Sequence, residues 1–262
     1  MLLPLIQKKR SPLKAKPLRN PAQFLYEQIH DFVEEKIGGP LWLALIFIIA
    51  TGLEWYRYFY PPKSAPIIFS LVTLLMIAYA AVCIYRTQPR LKRLKLGRDG
   101  EKSVGQFLES LREQEYKVFH DIPGDNFNID HVLIGPAGIF TVETKTRRKS
   151  NGNSRIIFDG ESIRVDGHAP DPAPIIQAKA QANWLRELLA QSTGRNFAVK
   201  PVIVYPGWYI EDRSPKEKAV RVLEPKTLAK ILEHAPITLA REDAHLSAFH
   251  LSRFIRNASA QQ

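Results

Sequence analysis

Two long apolar runs occupy the first third of the chain, and short ones fill the rest. Residues 66–85, PIIFSLVTLLMIAYAAVCIY, carry no charge, and about 20 apolar positions are what an α-helix needs to cross roughly 30 Å of hydrocarbon. This segment is predicted to be transmembrane. The earlier run, residues 37–53, IGGPLWLALIFIIATGL, is shorter and reaches crossing length only with Trp55 and Tyr56 at the interface. A buried or interfacial helix is its competing reading. The closeness of the two runs favours a transmembrane helical hairpin over residues 37–86. Ahead of it, residues 20–36 place Leu25, Ile29, Phe32 and Val33 at helical spacing behind Asn20 and Pro21, which predicts an amphipathic helix on the membrane surface or against the hairpin. Nothing in that stretch suggests chemistry.

After residue 98 the periods shorten. Val104, Phe107, Leu108 and Leu111 mark one face of a helix running to about Gln114. Strand-like runs follow at residues 116–122, 128–135 and 139–146, and then a hairpin at 155–158 and 162–165. A long helix is predicted over residues 174–191, strands over 198–205 and 219–223, and closing amphipathic helices over 226–234 and 242–257.

The net charge of +11 invites a nucleic-acid reading, but its location matters more than its size. Residues 1–98 hold 15 Lys/Arg against 5 Asp/Glu, whereas residues 99–262 hold 22 against 21. The excess flanks the apolar runs. Lys8, Lys9, Arg10, Lys14, Lys16 and Arg19 precede them, and Arg86, Arg90, Lys92, Arg93, Lys95 and Arg98 follow. The intervening link holds Trp55, Tyr56, Tyr58, Phe59 and Tyr60 with only Arg57 and Lys63 as basic residues. The positive-inside rule then puts both termini and the following domain in the cytoplasm, as a multi-pass protein of the inner (plasma) membrane. A cleaved signal peptide is not expected, since the first apolar run lies far from Met1. The lone Cys83 excludes an intramolecular disulfide and any zinc site built on paired cysteines.

The stretch NIDHVLIGPAGIFTVETKT, residues 128–146, carries the chemistry. Gly135, Pro136, Ala137 and Gly138 predict a tight turn between two strands. With Ile134 opposite Ile139, Asp130 faces Glu143 across the ladder, with β-carbons about 5 Å apart. Lys145, two positions further and roughly 6.7 Å along, shares their face. Two facing carboxylates repel unless a cation or a shared proton intervenes. Mg²⁺ or Mn²⁺ suits hard oxygen ligands, and such an ion polarises a phosphate and activates water. The lysine would steady the developing charge, so the pattern reads as phosphodiester hydrolysis. An exposed strand pair with a polar face in solvent would give the same spacing.

Gly97-x-x-Gly100-Glu101, Asn128-Ile129-Asp130-His131, Gly135-Pro136-x-Gly138 and Glu143-x-Lys145, taken in order, resemble the nuclease-related domain family known as NERD. That family is similar to the restriction-endonuclease-like PD-(D/E)xK superfamily. The resemblance covers about residues 95–205. It implies a metal site of Asp130 and Glu143 with Lys145 as base or stabiliser, and it adds Glu101 from the preceding helix and Gln177 from the long helix. Here Thr146 is followed by Arg147, Arg148 and Lys149, which would strengthen phosphate contacts or form a solvated turn.

Other candidates carry less. Glu101 in a first helical turn is favoured by the dipole whatever its function. Gln177 and Gln181 share a helix face, which alone means nothing. His131 is predicted to point away from Asp130 and to be structural. Residues 97–103, GRDGEKS, lack a phosphate-loop core, and no Gly-x-Ser-x-Gly elbow exists. The expected organisation is a basic N-terminal segment with an amphipathic helix (1–36), the transmembrane hairpin (37–86), a basic linker (87–98), a nuclease-related α/β domain with a restriction-endonuclease-like mixed β-sheet flanked by helices (99–224), and C-terminal helices (225–262). The expected function is membrane-anchored, Mg²⁺- or Mn²⁺-dependent hydrolysis of nucleic acid, DNA ahead of RNA. A non-catalytic nucleic-acid- or protein-binding module with the same fold is the alternative.

Overall fold

The computed structural model describes residues 18–59, 65–124, 127–149, 154–215 and 217–261, with side chains to residue 258. Lys8, Lys9, Arg10, Lys14, Lys16, Tyr60 and Lys63 lie outside the described residues. Helix α1 (Gln23–Val33) runs through a π-helical turn, Glu34–Gly38, into α2 (Gly39–Phe59). Helix α3 (Pro66–Glu109) follows and ends in a 3-10 turn, Ser110–Gln114.

Two helical stretches, Gln23–Phe59 and Pro66–Gln114, contain windows long and apolar enough to cross a membrane, with mean hydropathies of 1.8 and 2.6. Only 6% and 11% of those windows are buried, so neither is the hidden core helix of a soluble protein. Their outward surface is a continuous apolar patch that includes Trp42, Ile46, Ile67, Ile68, Leu71 and Leu74, far beyond what a soluble monomer exposes. Where α2 and α3 meet, the buried residues are small, Ala44, Thr73 and Ala80. Thr51 bonds to Thr73, and the two hydroxyls also reach the Phe69 and Phe47 carbonyls at 3.2 and 3.0 Å. Small residues that let backbones approach, with hydroxyls satisfied across the contact, hold helices together where lipid removes the hydrophobic drive.

Residues 87–98, expected to form a linker, are helical, and α3 runs unbroken from the apolar hairpin into the globular part. The physical reason is that Leu91, Leu94 and Leu96 alternate with strong helix formers, and that α1 packs alongside. The Arg90 guanidinium sits over the Phe32 ring at 4.8 Å and that of Arg98 over Tyr26 at 4.9 Å. Glu101 is thereby carried on the same rigid element as the apolar hairpin.

The main sheet has strands β1 (Lys117–Pro123), β2 (Asn128–Gly135), β3 (Gly138–Thr144), β6 (Val199–Val204) and β8 (Arg221–Leu223) in spatial order 1-2-3-6-8. The first three are antiparallel, and β6 and β8 continue in parallel. Helix α4 (Ala173–Thr193) connects the two parts. Strands β4 (Arg155–Phe158), β5 (Ile163–Val165) and β7 (Tyr209–Asp212) make a second sheet; β7 is absent from the sequence reading. Helices α5 (Pro225–Glu233) and α6 (Arg241–Gln261) close the chain.

Strand alternation sorts the core. Val118, Leu133, Phe140 and Val142 pack with Val104 and Leu108 of α3 and Leu228 of α5. Phe119, Val132, Ile134 and Ile139 pack with Leu185 of α4 and Leu251 of α6. Leu133 and Ile134 are fully buried, each worth about 1.5–3 kcal/mol of apolar transfer, so a register slip would lose both faces together. The predicted α/β class, a mixed sheet flanked by helices and preceded by two apolar helices, is the one observed.

Candidate active site

The β2–β3 register has Ile134 opposite Ile139 and runs to His131 opposite Val142. Gly138 holds φ at +119°, a conformation an L-residue with a Cβ rarely adopts. The next row is Asp130 and Glu143. The Thr144 backbone N–H donates to Asp130 Oδ2 at 2.7 Å, tying the two strand ends together.

Just past β3, the Lys145 N–H donates to the Val204 carbonyl at 2.9 Å, so the backbone stays extended and alternation holds. Lys145 Nζ therefore reaches Glu143 Oε1 at 2.7 Å. It also donates to Gln177 Oε1 at 2.8 Å, while Gln177 Nε2 donates to Glu143 Oε1 at 2.8 Å. One helical turn on, Gln181 Nε2 donates to Glu143 Oε2 at 2.7 Å and to the Asn128 carbonyl at 3.0 Å. Glu143 is only 4% exposed, so its orientation is set from both strand and helix. Gln181 Oε1 is buried with no hydrogen-bond partner among the described residues.

Glu101 enters from α3, 6% exposed, and its Oε1 accepts the Ala22 backbone N–H at 2.8 Å. Beside it lies Asp121, a residue the sequence reading passed over. Asp121 is 2% exposed and adopts φ +51° in the middle of β1. Its Oδ2 accepts from Arg19 Nε at 2.8 Å and from the Phe24 N–H at 3.0 Å, and its Oδ1 accepts from Asn128 Nδ2 at 2.8 Å. The segment ahead of the first apolar helix, expected to carry no chemistry, therefore docks on the globular domain through a buried arginine and the amide end of α1. The positive end of that helix dipole faces two carboxylates.

Burial and mutual repulsion dominate the titration of these acids. Glu101 is pushed up to about 8 by burial and by the negative charges of Asp121 and Glu143, against the Ala22 N–H. Asp130 is raised well above the ordinary aspartate range by burial and by Glu143 and Glu101, against the Thr144 N–H and the Lys145 charge. Asp121 is raised by burial, with Arg19, Asn128 and the Phe24 N–H pulling it back. Such a cluster either holds a shared proton or takes up positive charge. Its chemistry is that of hard oxygen donors beside one primary amine. Asp130 and Glu143 suit Mg²⁺ or Mn²⁺ by donor type. Among the described residues, however, no group of three or more His, Cys, Asp or Glu is arranged to hold a metal ion.

The structure thus brings together Asp130, Glu143, Lys145 and Gln177, with Gln181 as an added partner, and places Glu101 in their field. Arg147, Arg148 and Lys149 follow on the loop, where the Arg147 carbonyl accepts from Trp208 Nε1 at 3.3 Å and Lys149 Nζ lies 5.7 Å from the Trp208 ring. His131 points away from Asp130. It is fully buried, its Nδ1 is 2.9 Å from that of His120, and His120 Nε2 is 2.7 Å from Glu109. Burial and the neighbouring ring hold His131 well below the usual histidine range. A charged residue inside the otherwise apolar run VFHDI was the sequence signal for Asp121. Arg19 and the Ala22 amide had none.

An uncharacterized protein of Bacillus anthracis is 32% identical to this chain over 84 residues, which cover 30% of this chain and 38% of that protein. The chain thus spans under two fifths of the length of that relative. No solved structure matches the chain. Residues 96–206, which hold every predicted site residue from Glu101 to Gln177, match the model of the NERD family, the nuclease-related domain.

Proposed function

We propose that the protein is a membrane-anchored nuclease, dependent on Mg²⁺ or Mn²⁺, that hydrolyses phosphodiester bonds of DNA or RNA at the cytoplasmic face of the inner membrane. The observation that carries this reading is the Asp130–Glu143–Lys145–Gln177 constellation at the end of the β2–β3 hairpin, inside a region similar to nuclease-related domains. Asp130 and Glu143 would hold the ion, and Gln181 Oε1 is buried without a hydrogen-bond partner among the described residues, an acceptor left over beside Glu143. When present, the metal would supply Lewis acidity toward a phosphate oxygen and lower the pKa of a bound water. Lys145 would place positive charge at Nζ, where the phosphate gains negative charge. Gln177 fixes that ammonium, Gln181 fixes Glu143, and Glu101, pushed up to about 8, is able to hold a proton near neutral pH. The two apolar helices would span the bilayer, with the basic start of the chain and the stretch after residue 85 on the cytoplasmic side.

A second reading has its own support. Lys145 and Glu143 close on each other as an ion pair, and no third His, Cys, Asp or Glu joins Asp130 and Glu143 among the described residues, which suits a binding module with a nuclease-like fold. The test uses the whole chain in phosphatidylcholine nanodiscs with single- and double-stranded DNA and RNA, in Mg²⁺, Mn²⁺ or EDTA. Metal-dependent cleavage lost in both Asp130→Asn and Lys145→Met supports the nuclease. Cleavage that survives both variants removes the site from the mechanism, and binding without cleavage in any metal removes the nuclease reading.

A further inference from the structure

We propose that the groove between helix α3 and the loop leaving β3 binds the sugar–phosphate backbone of a nucleic-acid strand, so that the stalk joining anchor to domain is itself part of the substrate surface. This deepens the nucleic-acid reading above and rests on it. The groove encloses about 760 Å³. Its cations are Arg86, Lys92 and Arg93 from α3 and Arg147 and Arg148 from the loop. No acidic residue lines it, and none of the five has an ion-pair partner among the described residues.

Two other basic residues of the stalk behave differently. Arg90 covers Phe32, and Arg98 covers Tyr26 while pairing with Asp99 at 2.7 Å. Those two serve the α1 contact, which leaves the groove side as a strip of unneutralised positive charge. Phosphate is the natural complement of such a strip, and counterion release would drive the association.

Two features point to a nucleic-acid strand. First, the groove borders the candidate site along the chain: Thr146 lines it, and the preceding residue is Lys145, whose Nζ lies 2.7 Å from Glu143. The spacing of its walls is fixed, because a Cβ at Gly100 would fall 1.8 Å from Thr146 Oγ1, so only glycine lets the loop lie this close to the stalk. Second, from Arg86 to Arg93 the helix rises about 10 Å, a longer span than one phosphate group occupies. A lipid headgroup would suit Arg86 at the bilayer edge, whereas Lys92, Arg93 and the two loop arginines extend the strip away from that edge and toward the site.

The test measures anisotropy of a fluorescein-labelled 30-mer single strand with the whole chain in phosphatidylcholine nanodiscs, in EDTA, across a salt series. Lys92→Gln/Arg93→Gln is expected to weaken binding several-fold near 0.1 M salt and to reduce the slope of log K against log[salt] by about 1.4, two contacts at roughly 0.7 each. The charge-matched Lys226→Gln/Lys230→Gln on α5 should leave both unchanged. Equal losses in the two variants, or an unchanged slope in the first, overturn the proposal. So does loss of phosphatidylglycerol retained on the detergent-solubilised Lys92→Gln/Arg93→Gln chain, read by mass spectrometry, with oligonucleotide affinity intact: the groove is then a lipid site. Metal-dependent cleavage by a chain whose binding ignores the groove defeats this inference alone. Groove-dependent binding without cleavage in any metal defeats the nuclease reading and leaves the groove assigned.

Discussion

Glu101 should cost the folded protein stability at alkaline pH, and Glu101→Gln should recover it. A glutamate ordinarily titrates near 4.5, and here the carboxyl is pushed up to about 8 by burial and by Asp121 and Glu143. Between those values the folded chain binds a proton that the unfolded chain has released. Stability therefore falls as pH rises through that window. At about 1.4 kcal/mol for each pH step, the ceiling is about 5 kcal/mol above pH 8. Asp121 and Asp130 share the same field and can take the proton in its place, which brings the expected gain to about 2–3 kcal/mol. Gln is isosteric, and its Oε1 can keep the Ala22 N–H. The measurement is thermal unfolding of the detergent-solubilised chain, metal-free, at pH 5 and pH 8.5. Wild type should melt lower at pH 8.5, while Glu101→Gln should melt about 5–10 °C above it there and within a few degrees at pH 5. A difference in melting temperature that does not change with pH, or a variant less stable than wild type at pH 8.5, would refute the reasoning. If Glu101 serves catalysis, the same variant is the more stable and the less active protein.

Arg19→Met should be destabilising by about 3 kcal/mol at pH 7, because it strands the buried Asp121 carboxylate; recovery of most of the loss in Arg19→Met/Asp121→Asn, by the same unfolding assay, would assign the loss to that pair. Apparent Mn²⁺ affinity should rise with pH, since the raised Asp130 carboxyl must shed its proton before it can ligate. Calorimetry in two buffers of different ionisation enthalpy should show proton release on binding, and an affinity that does not change with pH would contradict it.

The hairpin and the grouping of its polar side chains were legible because a β-ladder is a local code. One turn, set by Gly135 to Gly138, fixes a register that runs to His131 opposite Val142 and, continued by one row, sets Asp130 against Glu143; period-two alternation carries Lys145 onto the same face. Gln177 and Gln181 were visible as a helix face, but which strand that face would meet depends on the crossover between β3 and β6, a non-local fact. Residues 87–98 read as a linker because charge density masked their helical period. Asp121 was hidden for another reason. Its +51° φ breaks the alternation of β1, so a parity count assigns its side chain to the wrong place. Arg19 and the Ala22 amide reach the site across 102 and 79 positions of chain, and no local pattern records such contacts.

Those two long-range contacts tie the apolar helices to the candidate site. Helix α1 leads into one apolar helix and α3 leads out of the other, and the pair return side by side to the globular domain, where α3 supplies Glu101 and α1 supplies the groups that restrain its charge. Ala22 N–H lowers the proton affinity of Glu101, and Arg19 with the Phe24 N–H lowers that of Asp121. Withdrawing α1 would remove every one of these groups together and at the same time admit water to the two carboxyls, so both the restraint on their charge and the burial that raises them would change at once. The protonation state of the site is therefore coupled to the seating of the segment that precedes the first apolar helix. A fragment cut at the start of the nuclease-related region keeps Asp130, Glu143 and Lys145 but loses that coupling, and for this reason the experiments above use the whole chain in a bilayer or detergent rather than the soluble part alone.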